Sequence, residues 1–328
     1  MCESNFNAPA HLEIAPRPLR FSNVTAGWLR KAFTELSVIG VEKAGYLAVP
    51  VETGYYRLKT ADGRLLFAKV KTGKQAAKEA KAAALSSSLY QLGAASLKLN
   101  RSTFLRDEDL SIFVYPWLEQ AFFDGSLDGT KSLGKSLALL HMRMRDLPKD
   151  TEKKRHLFEV WEDRLMLIPN VSFASDYRSL LTAAGEAFAR STNQMAHNDI
   201  HRGNVIYEGS KVAAFIDFED AVDTISSPLV DISASLERFC LLPELSDEKV
   251  RGFLSSYVKA SGSFLTATAT DIVTVGLCRC YNAIAILELS RAPENQVWQA
   301  ERHKFNILLE KWHRWEQTIA LAIRSIQV

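Results

Sequence analysis

Two aspartates and an asparagine in the middle of the chain have the types and spacing that phosphoryl transfer requires. Asn204 follows Asp199 by five residues, and Asp217 lies thirteen residues beyond Asn204. Phosphoryl transfer needs one carboxylate to orient the attacking hydroxyl group and accept its proton. It also needs an amide and a second carboxylate to hold the Mg²⁺ ions that neutralise the phosphates. The three side chains are therefore a candidate catalytic set if the fold brings them together.

The segment between the amide and the second aspartate predicts a β-hairpin. Residues 204–207 begin a strand, residues 208–211 have turn composition, and residues 212–216 form an apolar returning strand. A hairpin in this register places Asn204 and Asp217 at the same end, next to Asp199. A polar loop and hairpin without catalytic meaning is the alternative, and the second apolar-flanked aspartate argues against it.

Two motifs carry a resemblance to a known family. The pattern His-x-Asp-x-x-x-x-Asn begins at His197, and the pattern Ile-Asp-x-x-Asp begins at Ile216. Together they resemble the aminoglycoside phosphotransferase and choline kinase family, whose members are kinase-fold enzymes acting on small molecules. The resemblance implies that Asp199 is the catalytic base, that Asn204 and Asp217 bind Mg²⁺, and that His197 has a supporting role.

Composition agrees with a folded enzyme and excludes several other classes. The 328 residues suit two lobes or one large domain, and 47% hydrophobic residues are enough for a packed core. A net charge of +2 gives no nucleic-acid signature, and no run of eighteen apolar residues predicts a membrane span. The N-terminus lacks the features of a secretory signal. Four cysteines without metal-ligand spacing favour reduced thiols and a cytoplasmic protein.

The order of predicted elements indicates an α+β fold. Helical spacing over residues 21–36 is followed by strand-like runs at 38–51, 55–59 and 65–70, a helix from 74 to about 92, and a hairpin of 98–105 with 111–115. Later segments are mostly helical. The resemblance implies a two-lobed protein-kinase-like fold. It has a small antiparallel-sheet N-terminal lobe (1–114), a hinge (115–120) and a helical C-terminal lobe (121–328) with the catalytic loop and substrate pocket.

One lysine lies in a strand that otherwise faces a core. Burying Lys69 is expensive unless an acid pairs with it, and the following helix offers Glu79. Kinases hold the phosphates with such a strand lysine and fix it with a helix glutamate, so the resemblance assigns this pair to nucleotide binding. An outward-facing Lys69, with Lys71 or Lys74 in its place, is the alternative.

Three further positions are candidates for contact with the nucleotide. Gly54 is the only glycine of the segment that would cover the phosphates, where protein kinases use a glycine triplet. Tyr115 and Trp117 flank Pro116 in a strand exit that resembles an adenine-binding hinge, although an ordinary strand exit is the alternative. In the resembled families, an aspartate at the place of Asp231 supports the catalytic loop from beneath; a helix-start carboxylate is the simpler interpretation.

Acidic and aromatic residues after the metal-binding motif suggest a cationic substrate, such as an aminoglycoside, an amino sugar or a choline-like base. The candidates are Glu219, Asp220, Asp223, Trp298 and Glu301. Carboxylates attract amines, and aromatic faces attract cations. The alternative is that the acids are solvated or structural and that the helix tryptophans belong to the core.

The sequence therefore predicts a small-molecule kinase that uses ATP, with GTP left open, together with Mg²⁺. A protein Ser/Thr kinase is one alternative, but only fourteen residues separate Asp217 from Asp231, which is too few for an activation segment. A nucleotide-binding regulatory pseudokinase is the other, and the complete set of Lys69, Asp199, Asn204 and Asp217 argues against it. The expected partner is a small-molecule substrate, with no nucleic acid or membrane involved; no oligomeric state is predicted.

Overall fold

The computed structural model describes residues 21–24, 29, 32, 36–44, 54–105, 109–119, 122–147, 154–168, 173–242, 244–262, 266–289 and 296–327. Its N-terminal part contains an antiparallel sheet whose strands are β1 (Phe21–Asn23), β2 (Val38–Ala44), β3 (Gly54–Thr60), β4 (Leu65–Lys71), β5 (Arg101–Leu105) and β6 (Leu110–Pro116). The strands are ordered β1-β2-β3-β4-β6-β5.

The two faces of this sheet are buried in different ways. In β4 the side chains of Leu66, Ala68 and Val70 alternate into an apolar cluster on one face. Phe67 and Lys69 point to the other face, because successive strand residues alternate. Helix α1 (Gly73–Gln91) follows β4 directly and packs on β4 and β6. Lys69 therefore lies between the sheet and α1.

The C-terminal part is largely helical. Its elements are α2 (Leu127–Asp146), β7 (Arg155–His156), α3 (Leu157–Leu167), α4 (Ala174–Ala189), β8 (Val205–Glu208), β9 (Lys211–Phe215), α5 (Glu219–Val222), β10 (Thr224–Ile225), α6 (Pro228–Ser235), a π-helix (Leu236–Leu241), α7 (Asp247–Ser261), α8 (Ala269–Leu289) and α9 (Gln296–Gln327). Helices α2 and α7 touch at Gly134, where a Cβ atom would lie 2.3 Å from the carbonyl oxygen of Phe253. Only glycine allows this approach.

Most of the predicted elements are present, and the predicted two-lobed α+β fold is confirmed. The prediction of a helix beginning at Phe21 is wrong, because Phe21–Asn23 pairs antiparallel with β2. Pairing with a neighbouring strand overrides the local helical spacing here. Predicted strand residues 45–51 and most of the predicted helix lie outside the described residues. Helices α3 and α4 were not predicted.

Helix α8 is the one described helix that is long and apolar enough to span a membrane. Half of its most apolar window is buried inside the protein, where it packs against α4, α6 and α9. A core helix accounts for this composition. Cys278 and Cys280 of α8 and Cys240 of the π-helix are buried free thiols, as predicted.

Candidate active site

The loop that carries Asp199 is attached to a buried carboxylate beneath it. Asp231, in the first turn of α6, accepts the backbone N–H groups of His197 at 2.7 Å and Asn198 at 2.8 Å. His141 contacts the same carboxylate at 3.0 Å and Tyr257 at 2.8 Å. Burial alone would raise the pKa of Asp231, but the hydrogen bonds from His141 and His197 hold it below its usual range. Asp231 and His197 therefore lie where the supporting roles were predicted.

The loop and the hairpin each contain a residue in a left-handed conformation. Asn198 and Asp217 both have φ of 67°. The side chain of Asn198 is held by Ser226 at 2.6 Å and by Thr224 at 3.0 Å. Non-glycine residues persist in this region only when their surroundings hold them there. Here the residues directly before Asp199 and at Asp217 are held in this conformation.

Asp199 is paired with the predicted metal ligand of its own loop. The side-chain amide of Asn204 donates to the Asp199 carboxylate at 2.9 Å and to the Asp199 carbonyl oxygen at 3.0 Å. His201 Nε2 lies 3.6 Å from the same carboxylate. The side chain of Asp199 is 45% exposed, so a substrate can reach it. Desolvation by the surrounding protein opposes ionisation, but the charge interaction with the nearby His201 holds the pKa of Asp199 well below its usual range.

Lys69 is surrounded by three carboxylates. Its Nζ lies 2.9 Å from Glu79, 3.2 Å from Asp217 and 3.8 Å from Glu219. Burial alone would lower the pKa of Lys69, but the charges of Asp217 and Glu79 outweigh it and hold the pKa above its usual range. Lys69 therefore stays protonated. The pair with Glu79 agrees with the predicted partner, and the outward-facing alternative does not apply.

The carboxylates around Lys69 fit a divalent cation. Ligand atoms of Glu79, Asp217 and Glu219 lie within 4.8 Å of one another. Mg²⁺ prefers carboxylates together with phosphate oxygens and water. Asn204 is adjacent through the hairpin, because the N–H of Ile216 donates to its carbonyl oxygen at 3.0 Å. The donor set near Asp217 thus includes glutamates that the sequence analysis did not assign to the metal.

The acids that were predicted to attract a cationic substrate are paired with lysines of the N-terminal lobe. Glu219 contacts Lys71 at 3.1 Å. The two other pairs are Lys78–Asp220 at 2.9 Å and Lys81–Asp223 at 3.0 Å. Asp220 and Asp223 nevertheless remain 56% and 49% exposed in these pairs, and the cationic substrate stays a prediction. The side chains of Trp298 and Glu301 lie outside the described residues, whereas Trp312 and Trp315 are buried core residues, as the alternative held.

The structure shows which protein groups the three predicted nucleotide-binding residues contact. Tyr115 donates its hydroxyl to Glu79 at 2.6 Å, so its side chain fixes the partner of Lys69. The N–H of Trp117 donates to the carbonyl oxygen of Leu65 at 3.4 Å, which continues the sheet. Gly54 begins β3 with φ of 128°, a conformation that other residues rarely adopt. Their contact with a nucleotide stays a prediction.

Comparison with known proteins establishes the family. Residues 52–263 match the sequence profile described as the phosphotransferase enzyme family. This range covers Lys69, Asp199 and Asp217 and more than half of the chain. The chain therefore belongs to the phosphotransferase enzyme family, and the predicted class, a small-molecule kinase, is confirmed. A search among curated proteins finds no match.

Solved structures show the same fold at low sequence identity. A spectinomycin phosphotransferase in complex with ADP and spectinomycin has a TM-score of 0.61 and 14% identity, covering 93% of this chain and 99% of its own. An aminoglycoside phosphotransferase from Alicyclobacillus acidocaldarius scores 0.59 with 12% identity, covering 93% and 98%. A choline kinase from Streptococcus pneumoniae scores 0.58 with 17% identity, covering 87% and 98%.

Proposed function

We propose that the protein transfers the terminal phosphoryl group of ATP, bound together with Mg²⁺, to a hydroxyl group of a small molecule. The β8–β9 hairpin end carries this proposal. The bond between Ile216 and Asn204 joins Asp217, which contacts Lys69, to Asn204, which contacts Asp199. The hairpin thereby links the groups suited to a nucleotide with the group suited to an acceptor.

Asp199 would act on the acceptor mainly by orienting it. Its lowered pKa makes it a weak base, so early removal of the hydroxyl proton is unfavourable. In a loose transition state the attacking oxygen becomes more acidic as the new bond forms, and little early proton transfer is required. Asp199 would accept a hydrogen bond from the hydroxyl group, align its lone pair with phosphorus, and take the proton late.

The Lys69 cluster would hold the triphosphate and its metal. Lys69 remains a cation that can contact phosphate oxygens, with Glu79 and Tyr115 fixing its position. Asp217 and Glu219, with the neighbouring Asn204, would hold Mg²⁺, which supplies charge neutralisation for the phosphates. ADP in the similar spectinomycin phosphotransferase supports the choice of nucleotide.

The protein kinase alternative has less support. The residues between Asp217 and Asp231 form α5, β10 and the start of α6. Asn198 bonds to the carbonyl oxygen of Asp220 and to the hydroxyl of Thr224, which holds this segment against the catalytic loop. A short segment packed in this way supports a small acceptor.

A nucleotide assay tests the proposal directly. ADP formation is measured with ATP or GTP, with and without Mg²⁺, across panels of alcohols, for the native protein and Asp217→Asn. We expect Mg²⁺-dependent ADP formation that requires an acceptor, and loss of the Mg²⁺-dependent part in the variant. Calorimetry that finds no MgATP binding by the folded native protein would refute the proposal.

A further inference from the structure

The last residue of β4 is a second lysine on the face of the sheet that carries Lys69. Lys71 follows Lys69 by two residues, and strand residues two apart lie on the same face. Nζ of Lys71 lies 3.1 Å from Oε1 of Glu219, and Nζ of Lys69 lies 3.8 Å from the same oxygen atom. The two ammonium groups therefore meet at one carboxylate oxygen of the group that fits a divalent cation.

Lys71 also lies beside the strand whose beginning would cover the phosphates. Its Nζ is 5.9 Å from the centre of the Tyr55 ring, and Tyr55 directly follows Gly54 at the start of β3. Lys71 is thus placed between the start of β3 and the start of α5, where Glu219 lies. We expect a triphosphate held by Lys69 beneath the start of β3 to pass within reach of this side chain.

The two lysines differ in their access to solvent and in the access of their partners. The side chains of Lys69 and Glu79 are 9% and 1% exposed. Those of Lys71, Glu219 and Asp217 are 15%, 20% and 31% exposed. Lys69 and Glu79 are therefore the inner pair of the group, and Lys71 lies on the outer side, where a metal ion or a phosphate would arrive.

Glu219 is both the partner of Lys71 and a proposed ligand of Mg²⁺, so the two cations compete for one carboxylate. An ion pair between partly exposed side chains is weak, whereas Mg²⁺ binds carboxylate and phosphate oxygens together. Lys71 would therefore give up Glu219 when Mg²⁺ arrives with ATP. Its ammonium group has three donors on a flexible stem, and phosphate oxygens accept strong charge-assisted hydrogen bonds from such a group.

We infer that Lys71 is a second phosphate-binding lysine, which neutralises Glu219 before the metal binds and turns to the phosphate oxygens of ATP when Mg²⁺ takes Glu219. This inference rests on the proposed phosphotransferase function and adds a residue to its nucleotide site. The two lysines then have different roles, because Glu79 fixes Lys69 while Lys71 exchanges partners. Lys71 consequently opposes the binding of a metal ion alone and favours the binding of the metal together with ATP.

Two binding constants test the inference, because Lys71→Gln should change them in opposite directions. Binding of Mn²⁺ alone is followed by electron paramagnetic resonance, and binding of MgATP and of AMP by calorimetry. We expect the Kd for Mn²⁺ to fall by about 3-fold or more, because a competing cation is lost. We expect the Kd for MgATP to rise by roughly 10–100-fold, because a charged hydrogen bond to phosphate is lost. AMP, which carries a single phosphate, should be affected least.

Two matched variants accompany this measurement. Lys71→Arg keeps the charge and should recover most of the MgATP affinity. Lys74→Gln removes an exposed lysine in the first turn of α1 and should leave both constants at native values. An unchanged MgATP affinity in Lys71→Gln would overturn the inference, as would Mn²⁺ and MgATP affinities that fall together.

Chemical labelling of the native protein gives an answer even where Lys71→Gln does not fold. The rate of reductive methylation of Lys71 is measured by mass spectrometry. Mg²⁺ alone should raise this rate by releasing the side chain from Glu219, and MgATP should lower it. A rate that neither addition changes would overturn the inference. Native protein that binds no MgATP would overturn the proposed function together with the inference, whereas normal MgATP binding without any effect at Lys71 would overturn the inference alone.

Discussion

Two ionic clusters of the molecule have opposite charge imbalances. Around Lys69, three carboxylates face a cation, with Lys71 also touching Glu219. In a second cluster, which we call the arginine cluster, Arg238 and Arg279 face the single carboxylate of Glu237. Buried charge is tolerated only when it is compensated. The first cluster can therefore accept an additional cation, as the proposed Mg²⁺ would provide, whereas in the second the charge of Glu237 is shared by two guanidinium groups.

The largest expected effect comes from Asp199, which belongs to neither cluster. Asp199→Asn keeps the shape of the side chain but cannot accept the proton or align the hydroxyl as strongly. We expect kcat to fall by roughly 10²–10⁴. MgATP affinity and the melting temperature should stay close to native values, because neither cluster loses a charge. Turnover near the native level would remove Asp199 from the proposed mechanism.

Breaking the arginine cluster should cost stability. Glu237→Gln leaves two buried guanidinium groups without their shared carboxylate. We expect the free energy of unfolding to fall by roughly 3–5 kcal/mol, measured by urea denaturation. Glu162→Gln, an exposed acid on α3, is the control and should change it little. A loss equal to that of the control would mean that the two arginines do not depend on Glu237.

Breaking the cluster of carboxylates around Lys69 should weaken Mg²⁺ binding more than it destabilises the fold. Glu219→Gln removes one of three carboxylates and leaves Glu79 and Asp217 on Lys69. We expect the Mg²⁺ concentration for half-maximal ADP formation to rise by roughly 10–100-fold. The unfolding free energy should change less than in Glu237→Gln, since the removed charge was in excess. An unchanged Mg²⁺ requirement would exclude Glu219 from the metal site.

The smallest effect is expected for Lys81 and Asp223, an exposed ion pair between the N-terminal and C-terminal lobes. Lys81→Gln breaks the pair with Asp223, in which both side chains are about half exposed or more. Exposed pairs contribute about 0–1 kcal/mol, and salt weakens them further. Denaturation at low and high salt should therefore show a small difference that disappears at high salt. A loss as large as that of Glu237→Gln would mean that this pair holds the lobes together.

Local patterns were sufficient to predict the hairpin and the residues at its end. Residues 205–215 form the expected strands because a short turn and alternating apolar residues specify a hairpin without distant contacts. The supporting role of Asp231 was implied only by the family resemblance, because its place in the first turn of a helix fits a simple helix-start carboxylate equally well. The strand Phe21–Asn23 could not be predicted from local sequence, since its conformation depends on pairing with β2.

The arginine cluster left a weaker signal in the sequence. Glu237 and Arg238 interrupt an apolar run, and Arg279 stands between two cysteines in a long apolar helix. Charged residues at such places require partners, which indicates that partners exist but does not identify them. Arg202, in the catalytic loop, is another charged residue whose partners lie far away in the chain. In the fold it contacts carbonyl oxygens of the π-helix, and burial lowers its pKa to about 10.

The sequence by itself determined the catalytic motif, the strand lysine and the α+β order of elements, because each depends on residues close together in the chain. The tertiary structure alone decided which charges meet. Glu219 and Asp220 became partners of lysines almost 150 residues away, and Glu237 of the π-helix met Arg279 of α8. The energy of an ion pair depends on distance and burial, and spacing along the chain specifies neither across separated elements.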